Sequence, residues 1–273
     1  MNFYGAHFEY AGRSSTDYGL IIASINESQN MAVSGRAELI TLFNKRDDRR
    51  YYIDTKYDGA HLEYEIEIFS EEPLSLSDQR TITKWLFHQK GYYKLYVAVA
   101  DDCDNESIRT VNGSDKRIYL NCILIEPEKI DGADGIHGYK CRAICDSPTG
   151  WMETVSQTFT INGANNNSSS TISVTADTDL HEYVYPVVRI TMAAAGDCKI
   201  VNATDSSARF TTLKELDSGT TLRMNGNTNF ITSGYYSKFY DRNFVRLLDG
   251  NNSLTVYGPV ASITLEWENR SYV

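Results

Sequence analysis

The chain has 273 residues, 41 % of them hydrophobic and 23 % charged, with a formal net charge of −10. This length suggests one or two domains and allows a core without covalent staples. The acidic balance excludes wrapping a nucleic-acid backbone with the whole surface, and no run reaches the ~18 consecutive apolar residues that span a membrane.

Residues Met1 to Gly12 lack the basic start and apolar stretch of a secretory signal. Five cysteines, an odd number, imply reduced and mostly buried thiols rather than a disulfide framework. Lys45-Arg46-Asp47-Asp48-Arg49-Arg50 reads as a solvated loop whose aspartates offset its cations. Leu62, Tyr64, Ile66 and Ile68 alternate with Glu63, Glu65 and Glu67, which predicts a strand with one face on a core.

One clear helix follows. Ser75 or Ser77 caps its start by accepting from a free N–H of the first turn, and Asp78 suits the positive end of the dipole. Ile82, Trp85 and Leu86 form one apolar stripe, and Gly91 is expected to close the helix with a left-handed cap. Asp101-Asp102-Cys103-Asp104-Asn105-Glu106 fails as a calcium loop, because Ser107 and Gly113 stand where Gly and Glu are needed. It reads instead as the cap of a hairpin between the Tyr96 and Ile118 strands.

In the next strand Ile118, Leu120, Cys122 and Leu124 share one face, and Tyr119, Asn121, Ile123 and Ile125 the other. A second face this apolar predicts burial on both sides, as in a barrel or at an interface. Cys141 and Cys145 lie on an alternating strand about 13 Å apart, too far to share one zinc.

After Trp151 the composition changes. Asn165-Asn166-Asn167-Ser168-Ser169-Ser170 is a polar loop. Short strand candidates follow at 171–175, 183–192, 199–202, 208–213, 220–224, 254–257 and 262–267, punctuated by Gly, Asn and Asp. They predict an antiparallel sandwich in which Ile263, Leu265 and Trp267 share a face. The chain holds no Gly-x-Ser-x-Gly elbow, no phosphate-cradling loop and no His-Glu-x-x-His. No catalytic residue, cofactor or metal is therefore nominated.

The run from Glu71 to Trp151 orders a capped helix, the strand Gly91-Tyr92-Tyr93-Lys94-Leu95-Tyr96-Val97, the stretch from Tyr119 to Ile130 with its Glu126-Pro127 break, and a final strand ending in Asp146-Ser147-Pro148-Thr149-Gly150-Trp151. Phe8-Glu9-Tyr10-Ala11-Gly12 and Tyr18-Gly19-Leu20 precede it. Pro186-Val187-Val188-Arg189-Ile190 and the turn Leu248-Asp249-Gly250-Asn251-Asn252-Ser253 follow. In this order the chain resembles the distal tail proteins of long-tailed bacteriophages.

The resemblance implies a mainly β chain. Residues 1–152 would form a ring-forming β-barrel with one α-helix, and residues 153–273 a galectin-like antiparallel β-sandwich. It implies a structural virion protein of the tail tip, made in the host bacterial cytoplasm, with no enzymatic activity and no membrane. Six copies would close a hexameric ring that joins the tail tube to the tip and lets DNA pass. The implied partners are the tail-tube protein, the tail-tip hub protein and receptor-binding or side-fibre proteins, with DNA only in transit. A closed ring needs a heterologous contact, and Tyr119, Asn121, Ile123 and Ile125 are the candidate interface residues. An acidic lumen would repel phosphates rather than trap them. The alternative is a carbohydrate-binding or host-adhesion module. Against it, the C-terminal half lacks the clustered His, Asn, Arg and Trp of a galectin sugar site. A glycosidase ranks behind both.

Overall fold

The computed structural model describes residues 7–24, 38–44, 49–56, 61–97, 108–111, 113–179, 183–205 and 209–272. The chain divides into two compact units. One comprises Met1–Arg109, Arg117–Trp151 and Tyr272–Val273; the other comprises Thr110–Lys116 and Met152–Ser271. The elements of the first part are β1 (Phe8–Tyr10), β2 (Arg13–Ser14), β3 (Leu20–Ser24), β4 (Glu38–Asn44), β5 (Arg49–Lys56), β6 (Glu63–Ser70), α1 (Leu76–Phe87), β7 (Tyr93–Val97), β8 (Ile108–Val111), β9 (Ser114–Gly132), β10 (Gly135–Cys145) and β11 (Gly150–Met152).

Seven antiparallel strands run in the order β2-β1-β7-β9-β10-β6-β3. Their alternation sends Phe8, Leu20, Ile66, Leu95, Leu120 and Ala143 into one core. The sequence pattern of β6 is realised: Leu62, Tyr64, Ile66 and Ile68 are buried, while Glu63 and Glu65 are exposed. Gly138 lets β10 approach β6, since a Cβ there would lie 2.1 Å from the Ile68 carbonyl oxygen. Among the described residues no ladder between β2 and β3 closes the path into a barrel. The 3₁₀ turn Ser15–Tyr18 joins those two ends instead. The chain itself thus links the ends of the sheet, and β1 and β3 on either side of the turn contribute to the same core.

Helix α1 starts as its sequence requires. Ser75 Oγ accepts from Asp78 N at 3.1 Å, and its hydroxyl donates to Asp78 Oδ2 at 2.6 Å. Its end differs from expectation. The C-cap is His88, with φ −103°, and Gly91 is not left-handed. The Gln89 side-chain amide donates to the Trp85 carbonyl at 2.5 Å, so a side chain satisfies a last-turn carbonyl that a glycine cap would otherwise serve.

Trp85 fixes the helix to the sheet. Its Nε1 donates to the Tyr10 carbonyl at 2.8 Å, and its ring stacks on Phe8 at 5.8 Å and 7°. Trp85→Ala opens a cavity and strands that carbonyl, and should cost about 3–5 kcal/mol. Urea unfolding checks this; an unchanged midpoint would contradict the anchoring role.

Two further expectations are corrected. The Glu126-Pro127 break does not interrupt β9. It is a β-bulge: Arg142 pairs with Ile125 and Lys140 with Glu128, so Glu126 and Pro127 together face Cys141. Glu126 takes φ +55°, and Pro127, lacking an N–H, fits the unpaired position. In the supposed basic loop, Arg49 and Arg50 open β5, which pairs with β4. Lys45–Asp48 lie outside the described residues, as does the acidic run 101–106 with Cys103. Pattern reading missed this hairpin because the charges drew attention from its apolar positions. Its Leu42 and Ile53 are 60 % and 57 % exposed.

The second part comprises β12 (Val155–Thr160), β13 (Ser169–Ala176), β14 (Val187–Met192), β15 (Gly196–Asn202), β16 (Phe210–Leu216), β17 (Thr221–Asn225), β18 (Phe230–Ile231), β19 (Gly250–Tyr257), β20 (Val260–Trp267) and β21 (Arg270–Ser271). Two antiparallel sheets form, β12-β20-β14-β17-β18 and β13-β19-β15-β16. Each buries alternate residues, among them Val188, Ile190, Ile200, Leu254, Ile263, Leu265 and Trp267. Strand β12 escaped notice because Ser156, Gln157 and Thr158 dilute its apolar residues; its ladder to β20 defines it.

Polar side chains organise the chain leading into β19. Asn252 is fully buried. Its Oδ1 accepts from Leu248 N and Asn202 Nδ2, at 2.8 and 2.9 Å, and its Nδ2 donates to the Leu248 and Gly250 carbonyls. Asn251 and Asn252, expected in the turn, therefore belong to the strand. Alongside, Arg246 donates to both Asp205 oxygens, from Nε at 2.6 Å and Nη2 at 3.1 Å. The bonded carboxylate pushes the guanidinium pKa up. Removing Asp205 takes the carboxylate from a mostly buried guanidinium that then keeps only neutral neighbours such as the Tyr183 ring, 3.5 Å away. Asp205→Ala should destabilise the chain by roughly 3–5 kcal/mol, read from the denaturant midpoint; a loss below about 1 kcal/mol would contradict it.

Candidate functional site

The N-terminal sheet turns its second face away from the core. On β9 the side chains at Tyr119, Asn121, Ile123 and Ile125 lie on this face, opposite the buried Leu120, Cys122 and Leu124. The structure does not treat the four alike. Tyr119 is already covered: the Lys94 ammonium sits 4.0 Å from its ring centroid, and the Tyr96 ring lies 5.3 Å away. Asn121 donates to Asp146 Oδ2 at 2.5 Å, and the same carboxylate accepts from Trp151 Nε1 at 3.2 Å. Ile123 and Ile125 remain partly exposed. Ile123 faces Ile144 across the ladder.

Charged residues frame these apolar positions. Arg142 donates to Glu63 at 2.7 Å and to Glu126 at 3.1 Å. His61 lies 2.6 Å from Glu63. The His61 and Arg142 hydrogen bonds hold the Glu63 carboxyl below the usual carboxylate range. On the other flank, Arg117 pairs with Glu9 at 3.2 Å and lies 4.1 Å from the Tyr96 ring centroid. An apolar strip with a polar surround has the anatomy of a protein–protein contact.

A second feature follows α1. A cleft of about 1150 Å³ runs along the helix between the β1–β2 turn and β9–β10. Arg80, Lys84 and His88 recur at four-residue spacing on one face of the helix, and Arg13 and Lys129 flank them. No carboxylate lines this cleft. Sequence reasoning missed it. The i, i+4, i+8 spacing was present, but its partners come from distant strands.

Among the described residues no three His, Cys, Asp or Glu side chains are grouped to hold a metal ion. Cys141 and Cys145 face the core, where burial pushes both thiols up to about 12, and Cys198 likewise. Such thiols are protonated and shielded at neutral pH. Iodoacetamide at pH 8 should label Cys122, Cys141, Cys145 and Cys198 at least tenfold faster in denaturant than in the native protein. Equal rates, read by mass spectrometry, would contradict their burial.

The described residues thus form two mainly β units with one α-helix between strands of the first. The chain matches the family described as phage tail protein N-terminal domain over residues 3–147, and that described as phage tail C-terminal domain over residues 150–267. It belongs to this phage tail protein family. Solved structures show the same fold. The Dit protein of phage SPP1, described as a paradigm of the hub adsorption apparatus in phages infecting Gram-positive bacteria, superposes with a TM-score of 0.62 at 12 % identity. That match covers 97 % of this chain and 98 % of the other. A chain of the phage P2 baseplate in its activated conformation gives 0.50 at 8 % identity, with the same coverage. No curated protein sequence matches the chain.

Proposed function

We propose that this protein is the hub of a phage tail tip: a hexameric ring that joins the tail tube to the tip apparatus and lets DNA pass. The family match over both units carries this reading, supported by the Dit-like fold along nearly the whole chain. The ring would contact the tail-tube protein on one side and the tail-tip hub protein on the other, with receptor-binding or side-fibre proteins around it. It would be made in the host bacterial cytoplasm, would touch DNA only in transit, and would carry out no reaction. A lumen drawn from a chain of net charge −10 would repel passing phosphates.

Within this reading residues 1–152 form the ring and residues 153–273 the outer sandwich. Of the four candidate residues, Ile123 and Ile125 carry the contact. Tyr119 and Asn121 stiffen the strand through their own neighbours. The adhesion alternative rests on the exposed Phe210 and Tyr257 of the sandwich, which share Lys199 at 4.3 and 6.0 Å. Glycan arrays decide that alternative.

The test is solution mass by light scattering with negative-stain imaging. The reading predicts a species of about 185 kDa, six times 30.8 kDa, with ring-shaped particles and a central pore. Ile123→Thr with Ile125→Thr, which keep a β-branched side chain on the strand, should weaken assembly about tenfold or more while the protein stays folded by its unfolding transition. A stable dimer, or rings indifferent to both substitutions, would contradict the interface.

A further inference from the structure

The basic cleft along α1 has a counterpart on the same unit. The end of the β9–β10 hairpin carries Glu128 and Asp131 on β9 and Asp134 in the turn, all exposed, with Glu71 and Glu72 beside it. The placement is fixed by two contacts: Leu74 N donates to the Ile136 carbonyl at 2.7 Å, and His137 Nδ1 lies 3.1 Å from the Ser70 carbonyl. The acidic tip therefore sits at the N-terminal end of α1. Arg13 and His88 lie at the other end, about 18 Å away for a helix of twelve residues at 1.5 Å rise.

Among the described residues none of Arg13, Arg80 and Lys84 forms an ion pair, and neither do Glu71, Glu72, Glu128 or Asp131. Asp134 alone has a partner, His137 at 2.7 Å. Leu76, 76 % exposed at the lip of the cleft, adds an apolar contact to the charged ones.

We propose that the α1 cleft receives the acidic β9–β10 tip of a neighbouring copy of this chain. The inference rests on the ring reading above and supplies a charged contact for it. The cleft runs from Leu76, Gln79 and Lys129 beside the tip to His88 at the far end of α1, and within the ring reading each tip enters the cleft of the next copy rather than exchanging with it in a two-fold pair. A head-to-tail contact propagates from copy to copy and closes into a ring when the rotation allows. Opposite-charge docking also fixes which edge meets which, because tip-to-tip and cleft-to-cleft approaches repel.

The experiment is a charge swap read by sedimentation velocity at low salt. One variant reverses the cleft, Arg80→Glu with Lys84→Glu; the other reverses the tip, Glu128→Lys with Asp131→Lys. All four positions are exposed, so the unfolding midpoint should hold and report on folding. Each variant alone should self-associate at least tenfold more weakly than the wild type. Mixing the two restores association, because each tip then meets a cleft of opposite sign. In the wild type, raising salt from 50 to 500 mM should weaken the assembly as screening shortens.

Rings that persist in both variants would overturn this contact while leaving the hub reading intact. So would reversals that spare self-association but abolish joining to the tail tube, since the cleft would then serve a different protein. A wild-type chain monomeric at every concentration would also overturn the contact; assembled tails would then judge the hub reading separately. A mixture that fails to associate would contradict the head-to-tail pairing.

Discussion

Trp85 is the interaction on which the N-terminal unit depends. One indole couples three things: a hydrogen bond to the Tyr10 backbone, a stack on Phe8, and the orientation of α1. Because the sheet path stays open among the described residues, its two ends need a common partner. The Tyr18 ring, from the 3₁₀ turn joining those ends, lies 5.8 Å from the Trp85 ring. With the inner face of the helix fixed by Ile82, Trp85 and Leu86, its outer face must present Arg80, Lys84 and His88. The core anchor and the basic cleft are two sides of one periodicity.

The outer face of the sheet follows from the same economy. A strand has two faces, and a core uses one. In β9 the inner residues are fully apolar, and the outer ones are split between self-satisfied groups and partly exposed isoleucines. Tyr119 and Asn121 spend their contacts inside the subunit, whereas Ile123 and Ile125 keep theirs open. The C-terminal unit differs in kind. It combines apolar alternation with a buried polar network, Asn202, Asn252 and the Asp205–Arg246 pair, that specifies one path into β19.

Period-two patterning made much of this legible. Leu62 to Ile68 and Ile118 to Ile125 are strands with the faces their sequences announce, and Ser75 caps the helix as its chemistry demands. The less legible features depend on partners remote in sequence. The helix end departs from its sequence pattern because the Gln89 amide, not Gly91, serves the last turn. The bulge at Glu126-Pro127 looks like a break until β10 is laid beside it. The coverage of Tyr119 needs Lys94 and Tyr96 from another strand, and Arg246 meets Asp205 across 41 positions of chain. Strand order, and with it the open rather than closed sheet, is not written in any local pattern.

The proposed role of this phage tail protein is geometric: a ring that positions its neighbours around a passage. Cryo-electron microscopy of tails assembled with this chain tests that most directly. The account predicts six copies in one ring at the junction of tube and tip, with the α1 clefts and β9–β10 tips of adjacent copies in contact. Density for the chain along the shaft or in a peripheral fibre, or a ring of different symmetry, would contradict it.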